Sequence, residues 1–352
     1  MHVQMPFSAS RTRVVTSIAR FPNLGQRCMS VRPLKYEHLT NAPGESSPQK
    51  SAPPPPRKKV TIASLHALRQ ERTPITVLTA YDYPTARAAS THGIDITLVG
   101  DSLAQVCLGY PSTTSLTLDE MLHHCRAVAR GTSAPLLVGD MPFGSYYTGK
   151  EDTIRAAVRM LQEGNVEAVK LEGGSEIAAR VQALTSIGIP VMAHVGLLPQ
   201  RHTALSGYRV QGRTATSARS ILHSALALEE AGAFSIVLEA IPSSLAAYIT
   251  SRLKVPTIGI GAGPGCSGQV LVWDDVMGTW AGHKAKFVRR FGDVKSEVER
   301  GVKAYASAVR DGSFPRHEKE GYAMDDAEIE KLLEMESDQE WTWNPPKPTT
   351  TL

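Results

Sequence analysis

Three carboxylates stand at the ends of three successive predicted β-strands. Asp101 ends the run Ile-Thr-Leu-Val-Gly-Asp, Asp140 the run Leu-Leu-Val-Gly-Asp, and Glu172 the run Ala-Val-Lys-Leu-Glu. An aliphatic, β-branched run that stops at an acid and a turn residue is typical of a buried parallel strand with a functional group at its tip. Three oxygen ligands, roughly one βα unit apart, favour a hard divalent cation such as Mg²⁺. Asp101 and Asp140 are also compatible with the role of a helix N-cap or a turn residue. That role explains Glu172, which precedes two glycines, poorly.

Other polar side chains lie at the ends of the same series of strands. Lys170 comes two residues before Glu172 and therefore leaves its strand on the same face. It is expected either to bind a substrate carboxylate or enolate oxygen, or to pair with a buried acid. His194, inside an apolar strand, is by itself more typical of a satisfied core histidine. Glu239 stands alone among aliphatic residues, and because burying an idle carboxylate is costly, we expect it to be a general base.

This set of groups indicates the chemistry of a 2-oxo acid. A divalent ion can chelate such a substrate through its keto oxygen and carboxylate and stabilise an enolate as a Lewis acid. The residues Gly100–Leu103 also spell the signature of the GDSL esterases, which would make Ser102 a nucleophile. That family has the motif on its first strand and an Asp-x-x-His pair near its C-terminus. Here the motif is on the second predicted strand, and no Asp-x-x-His pair lies near the C-terminal end of the predicted barrel, so the sequence gives little support to an esterase.

The elements that must position these groups alternate regularly along the chain. Strands are predicted at 75–80, 96–101, 135–140, 168–172, 190–195, 235–239, 256–260 and 269–273. Helices are predicted at 62–71, with Thr61 as N-cap, and at 84–92, 118–130, 151–164, 175–187, 217–231, 243–253 and 284–309. Eight strands separated by helices predict an α/β fold of the (β/α)₈ barrel type, in which strand ends converge on one site. An open Rossmann-like sheet is the alternative, but no GxGxxG follows the first strand.

The two ends of the chain differ in composition from its centre. Residues 1–59 carry ten Lys or Arg and two acids, which gives +8 and leaves −4 for the remainder of a chain whose net charge is +4. The first 36 residues have no acid, and the segment 53–56 is four prolines. We therefore predict a mitochondrial transit peptide and a stiff linker over 1–59, the catalytic barrel over 60–315, and a tail over 316–352 with a short helix at 325–335. A disordered basic extension without a targeting role is the alternative for the N-terminus.

Composition also excludes several classes of protein. No stretch approaches 18 consecutive apolar residues, so no membrane span is expected. The mildly acidic body gives no indication of nucleic-acid binding. Four cysteines lie far apart, without a CxxC pair, which favours a reducing compartment and argues against a thiolate zinc site.

Six motifs in order along the chain resemble those of one enzyme family. They are Thr79-Ala-Tyr-Asp-Tyr83, Val99-Gly-Asp-Ser-Leu103, Lys170-Leu-Glu-Gly-Gly174, His194-Val-Gly-Leu-Leu-Pro-Gln200, Gly207-Tyr-Arg-Val-Gln-Gly-Arg213 and Gly259-Ile-Gly-Ala-Gly263. Each is weak alone, but together they closely resemble the ketopantoate hydroxymethyltransferases (3-methyl-2-oxobutanoate hydroxymethyltransferases) over residues 60–315. The resemblance implies a barrel of the phosphoenolpyruvate/pyruvate type. The basic extension and the tail differ from the shorter bacterial forms and suggest a fungal mitochondrial version.

The resemblance also implies a reaction and a role for each site residue. The family uses Mg²⁺ and transfers a hydroxymethyl group from 5,10-methylenetetrahydrofolate to 3-methyl-2-oxobutanoate, giving 2-dehydropantoate on the route to pantothenate and coenzyme A. Asp101, Asp140 and Glu172 match its metal residues, and Glu239 matches its proton acceptor. The positions that match its oxo-acid contacts are Asp101, Ser102, Asp140 and Lys170, with His194 nearby.

The resemblance further implies a large homo-oligomer, a decamer in the bacterial forms. The predicted transit peptide indicates a location in the mitochondrial matrix. One alternative is a related metal-dependent C–C lyase or mutase of the same barrel type. Those lyases rely on a cysteine in a mobile loop, and none of the four cysteines lies in a recognisable version of it. A non-catalytic scaffold barrel is the second alternative, but every assigned site position carries a competent side chain.

Overall fold

The computed structural model describes residues 57–337 and has eight parallel strands that close into a barrel in chain order. The strands are β1 (Ile75–Thr79), β2 (Ile96–Val99), β3 (Leu136–Asp140), β4 (Ala168–Glu172), β5 (Val191–Gly196), β6 (Ser235–Glu239), β7 (Thr257–Ile260) and β8 (Gly268–Leu271). Closure occurs where β8 pairs with β1, with Gly268 opposite Ile75. The predicted (β/α)₈ barrel is confirmed, and the open sheet is wrong because β1 has a strand partner on each side.

Helices follow most strands and cover the barrel. They are α1 (Ile62–Gln70), α2 (Tyr83–Thr91), α3 (Leu103–Val106), α4 (Leu118–Gly131), α5 (Lys150–Gln162), α6 (Ala178–Thr185), α7 (Ala215–Glu230), α8 (Ser243–Arg252), α9 (Trp273–Met277), α10 (Val294–Arg310), α11 (His317–Glu320) and α12 (Asp326–Ser337). Four of them begin at a capping box, in which the N-cap side chain and the third helical residue exchange hydrogen bonds. The N-caps are Thr61, Asp82, Thr117 and Thr214. Such caps stabilise a helix start by about 1 kcal/mol each.

Side chains point alternately to the two faces of each strand, and the core therefore has two layers. One apolar cluster fills the barrel with residues such as Val77, Leu98 and Val138, while a larger cluster lies between strands and helices. Because side chains alternate between the two faces of a strand, the inward face of β3 runs from Val138 to Asp140. By the same period, the inward faces of β4 and β5 change from apolar to polar toward their carboxyl ends, and that of β6 ends in Glu239.

The structure corrects several predicted boundaries. The helix predicted at 284–309 begins only at Val294, because the N–H groups of Phe291 and Gly292 donate to the carbonyl of Val276 and turn the preceding segment back onto α9. The strand predicted at 96–101 ends at Val99. Asp101 lies in the following turn because its N–H donates to the side chain of Asp140 rather than to the sheet. The short helices α3, α9 and α11 were not predicted.

The termini are described only in part. Residues 1–56, with most of the predicted transit peptide and linker, lie outside the described residues, as do 338–352. The short helix predicted at 325–335 is confirmed as α12. Every residue from 311 to 336 is exposed. Over the described part of the chain, no helix combines the length and apolar character needed to cross a membrane.

Gly268→Ala should destabilise the barrel at its closure. A Cβ there would lie 2.3 Å from the carbonyl oxygen of Ile75 and 2.7 Å from its Cβ, so the two paired strands would have to separate. We expect the free energy of unfolding to fall by roughly 1–3 kcal/mol, the usual cost of overpacking. Urea denaturation followed by circular dichroism measures it.

The matched control is Gly301→Ala in the exposed middle of α10, where a Cβ would meet nothing within 4 Å. That change should stabilise by about 0.5–1 kcal/mol, because alanine restricts the unfolded chain more than glycine does. Equal effects of the two substitutions would contradict the closure argument.

Candidate active site

The register of four neighbouring strands brings the predicted site residues together. Asp140 at the end of β3 is the lateral partner of Lys170 in β4, and Glu172 at the end of β4 is the partner of His194 in β5. Glu239 at the end of β6 is opposite Gly196 in β5. Every one of these side chains therefore lies near the carboxyl ends of β3–β6, the face on which (β/α)₈ barrels hold their active sites.

Lys170 forms the central ion pair of this cluster. Its Nζ lies 2.7 Å from Asp140 Oδ1 and 3.9 Å from Glu172 Oε1, with all three side chains buried. Burial acts to lower the pKa of Lys170, but the charges of Asp140, Glu172 and Asp101 outweigh it and hold that pKa above its ordinary value. Lys170 is therefore an ammonium ion, and its pairing with a buried acid, one of the two predicted roles, is confirmed.

Gln200 connects the acids to one another, a role that the sequence analysis missed. It lies on a 3₁₀ turn directly after β5. Its Nε2 donates to Asp101 Oδ2 and to the carbonyl of Met141, each at 3.0 Å, and its backbone N–H donates to Glu172 Oε2 at 3.0 Å. The hydroxyl of Tyr146 donates to Gln200 Oε1 at 2.6 Å. One buried residue thus positions two of the three predicted metal ligands, Asp101 through its side-chain amide and Glu172 through its backbone N–H.

The cluster carries an excess of negative charge. Burial first, and the neighbouring Asp140 second, raise the pKa of Asp101 to about 7. Burial and Asp101 together raise the pKa of Glu172 well above its usual range. Three acids, Asp101, Asp140 and Glu172, interact with the single ammonium of Lys170. In residues 57–337, however, no three acidic, histidine or cysteine side chains form a ready-made set of metal ligands, because Lys170, Gln200 and the Asp101 N–H hold the acids instead.

His194 is buried without a hydrogen bond from either ring nitrogen. Its Nδ1 lies 3.6 Å from Glu172 Oε1 and its Nε2 lies 3.3 Å from Glu239 Oε2, both beyond good hydrogen-bond geometry. The reading of His194 as a satisfied core histidine is therefore wrong. Burial and the nearby Lys170 lower its pKa, so the ring is neutral at neutral pH. A buried polar atom without a partner costs about 1–3 kcal/mol, which indicates a place for a ligand.

Glu239 is held through its backbone, and its carboxylate is partly exposed. Its side chain is 14% exposed, against 2% for Glu172. Its carbonyl accepts a hydrogen bond from the N–H of Leu197 at 2.9 Å. Gly196, directly before Leu197, has a φ of 102°, and a Cβ there would lie 2.3 Å from the carbonyl oxygen of Glu239. Only glycine permits this close approach of β5 and β6 beside the acid.

Ser102 lies in the turn after β2, next to Asp101. Its Oγ is 2.8 Å from the hydroxyl of Tyr81. A serine nucleophile needs an adjacent base to take its proton, and a tyrosine hydroxyl is not such a base at neutral pH. The contact therefore favours a binding role for Ser102 over the esterase reading.

Comparison with known proteins agrees with this architecture. The profile of the ketopantoate hydroxymethyltransferase family matches residues 59–317. A relative from Oleidesulfovibrio alaskensis, named 3-methyl-2-oxobutanoate hydroxymethyltransferase, is 51% identical over 258 residues, covering 73% of this chain and 89% of its own. A relative of the same name from Emericella nidulans is 48% identical over 271 residues, covering 76% and 78%.

A solved structure supports the type of barrel. The crystal structure of a phosphonopyruvate hydrolase in complex with oxalate and Mg²⁺ matches with a TM-score of 0.50 at 16% identity, covering 79% of this chain and 96% of that one. The likeness is one of fold and agrees with the closed barrel of eight parallel strands. Because the family profile matches the whole barrel and the relatives cover about three quarters of the chain at 48–51% identity, this protein belongs to the ketopantoate hydroxymethyltransferase family of enzymes.

Proposed function

We propose that the enzyme transfers a hydroxymethyl group from 5,10-methylenetetrahydrofolate to 3-methyl-2-oxobutanoate, giving 2-dehydropantoate for the synthesis of pantothenate and coenzyme A. The observation that carries the proposal is the buried cluster at the ends of β3–β6. There, an ammonium, an imidazole without partners and a partly exposed carboxylate lie within a few ångströms of one another. Relatives named 3-methyl-2-oxobutanoate hydroxymethyltransferase support the choice of the oxo acid and of hydroxymethyl transfer.

The donors of the cluster suit a 2-oxo acid. Lys170 and the hydroxyl of Ser102 would bind the carboxylate, since charge-assisted hydrogen bonds to an anion are the strong ones. His194 is neutral and holds one N–H, so it can donate to an uncharged or partly charged oxygen without adding a full charge. A bound substrate oxygen would give a partner to a ring nitrogen that has none in the protein. Asp101 and Asp140 complete the set of residues that face the oxo acid.

The acids fit Mg²⁺ in donor type and in charge. Asp101, Asp140 and Glu172 offer only oxygen, the ligand that Mg²⁺ prefers, and the raised pKa values of Asp101 and Glu172 reflect burial first and repulsion by a neighbouring carboxylate second. These three residues would hold the ion, although they do not stand as a ready-made ligand set. When bound, the ion supplies a Lewis acid that stabilises negative charge on the keto oxygen of the substrate.

Glu239 is the general base in this proposal. Its position at the end of β6, beside His194 and partly exposed, suits removal of the proton from C3 of 3-methyl-2-oxobutanoate. The neutral His194 leaves the carboxylate free to accept that proton, because it does not form a strong ion pair with it. Lys170 provides the fixed positive charge that favours the substrate anion throughout.

Two further parts of the proposal concern location and assembly. A place in the mitochondrial matrix is supported by the basic, acid-free start of the chain. A homo-oligomer is supported by α10, where Val298, Val302, Tyr305 and Val309 are exposed at intervals of three and four residues and form one apolar stripe. Such a stripe is typical of a covered helix face.

Glu239→Gln should abolish deuterium exchange at C3 of 3-methyl-2-oxobutanoate. The amide cannot accept the proton, so the exchange rate, followed by NMR in the presence of Mg²⁺, should fall roughly 10²–10⁴-fold, the usual contribution of a general base. Glu230→Gln, at an exposed position at the end of α7, is the matched control and should exchange like wild type. If the Glu239 variant retained exchange, the general base would be another residue. If the wild type showed no exchange, even with tetrahydrofolate added, the proposed function would be contradicted.

Stabilisation by Mg²⁺ should grow with pH. The pKa of Asp101 is raised to about 7 and that of Glu172 is also raised, both above their values in the unfolded chain. Without metal, these acids therefore bind protons more tightly when folded, so their contribution to stability declines as pH rises from about 4 to 7. A metal ion needs them ionised and must displace those protons at low pH. We expect Mg²⁺ to raise Tm more at pH 8 than at pH 5.5, and equal shifts at both would count against these ligands.

Gln200→Leu should weaken metal binding while leaving the fold intact. The leucine removes the amide that donates to Asp101 Oδ2, so that ligand loses its fixed orientation. Losing such a supporting contact typically lowers metal affinity about 10–100-fold. Mn²⁺ binding followed by electron paramagnetic resonance measures the affinity, with Gln182→Leu at an exposed position of α6 as control. Unchanged Mn²⁺ affinity would show that Gln200 does not position a ligand.

A further inference from the structure

A line of hydrogen bonds runs from the end of the barrel sheet to Ser102. The N–H of Trp273, just after β8, donates to Thr79 Oγ1 at 2.8 Å. Thr79 Oγ1, at the end of β1, donates to the hydroxyl of Tyr81 at 2.8 Å. That hydroxyl lies 2.8 Å from Ser102 Oγ. Thr79 and Tyr81 are both 3% exposed, so water cannot readily replace these contacts.

The number of protons on each group determines which atom is the donor in each of these hydrogen bonds. A backbone N–H can only donate, so Thr79 accepts from Trp273 and uses its single proton toward Tyr81. Tyr81 accepts that bond and has one proton of its own, which points to Ser102 Oγ. Ser102 is then the acceptor in its contact with Tyr81. Its own proton is left for an acceptor elsewhere, on the half-buried side of the turn that also carries Asp101.

Tyr81 is held firmly in this role. Its backbone carbonyl lies 2.6 Å from His124 Nδ1, and its N–H donates to Thr85 Oγ1 at 3.1 Å. Burial raises the pKa of its hydroxyl, and the hydrogen bonds to Ser102 and Thr79 only partly offset that effect. The hydroxyl therefore remains protonated, and it remains a donor.

We propose that Tyr81 is a positioning residue, which fixes the hydroxyl of Ser102 as a hydrogen-bond donor to the carboxylate of the bound 2-oxo acid. The inference rests on the proposed function, because it uses that substrate. It adds a determinant of substrate specificity to that function. The hydrogen bonds that support this determinant cross the closure of the barrel, from the residue after β8 through β1 to the turn after β2. A hydroxyl that must donate outward recognises an anion and disfavours a cationic or purely donating group at that place.

A double-mutant cycle tests the role of Tyr81. The steady-state KM for 3-methyl-2-oxobutanoate and kcat are measured for wild type, Tyr81→Phe, Ser102→Ala and the double variant. Tyr81→Phe should raise KM about tenfold and change kcat much less, since the loss is that of one oriented hydrogen bond to a charged group. Because Tyr81 acts through Ser102, it should add nothing on the Ser102→Ala background. Tyr83→Phe, 44% exposed at the start of α2, should behave like wild type.

A second variant separates positioning from folding. Thr79→Val removes the proton that Tyr81 accepts and lets the tyrosine hydroxyl turn, so KM should rise, though less than in Tyr81→Phe. Tm is measured for each variant alongside the kinetics. Additive effects of Tyr81→Phe and Ser102→Ala, or an unchanged KM in Tyr81→Phe, would overturn the positioning role while leaving the proposed function intact. A wild-type enzyme without hydroxymethyl transfer would instead overturn the proposed function itself.

Discussion

The buried ion pair between Lys170 and Asp140 is the constraint on which the rest of the site depends. Placing two charges in the interior costs several kcal/mol each, and their attraction offsets this only with good geometry and further hydrogen bonds. The pairing of β3 with β4 supplies that geometry by placing the two residues laterally opposite. The second oxygen of Asp140 then accepts the N–H of Asp101, which bends the chain out of β2 and brings a further carboxylate into the cluster.

Along each of the strands β3–β6, the residues that stabilise the barrel lie at one end and the residues of the candidate active site lie at the other. Toward the amino ends of β3–β6, inward residues such as Val138, Ala168 and Met192 form a closed apolar core. Toward the carboxyl ends, the same face carries acids, a lysine and a histidine. The apolar layer holds the strands at fixed register, so the polar side chains need few contacts of their own to stay in place. His194 illustrates this, because packing alone holds a ring whose nitrogens have no partners.

The sequence predicted the barrel and the principal site residues because both depend on short-range patterns. Aliphatic runs that end in an acid are visible in a single sequence, and in a parallel sheet all such ends lie on one face. It did not predict the role of Gln200, whose side-chain amide donates to a residue 99 positions away along the chain and whose backbone N–H donates to one 28 positions away. Nor could it show that His194 is unsatisfied, since that depends on distances of 3.3 and 3.6 Å to two different strands.

The boundary errors have the same origin. The segment before α10 is helical in pattern, but two of its N–H groups find the carbonyl of Val276, a contact that only the folded chain creates. Asp101 likewise leaves the predicted strand because the side chain of Asp140 competes with the sheet for its N–H. At the active face, therefore, polar contacts between strands override local propensity. The resulting turn after β2 places Asp101 and Ser102 side by side, so that one acid and one hydroxyl reach the same space from a single bend of the backbone.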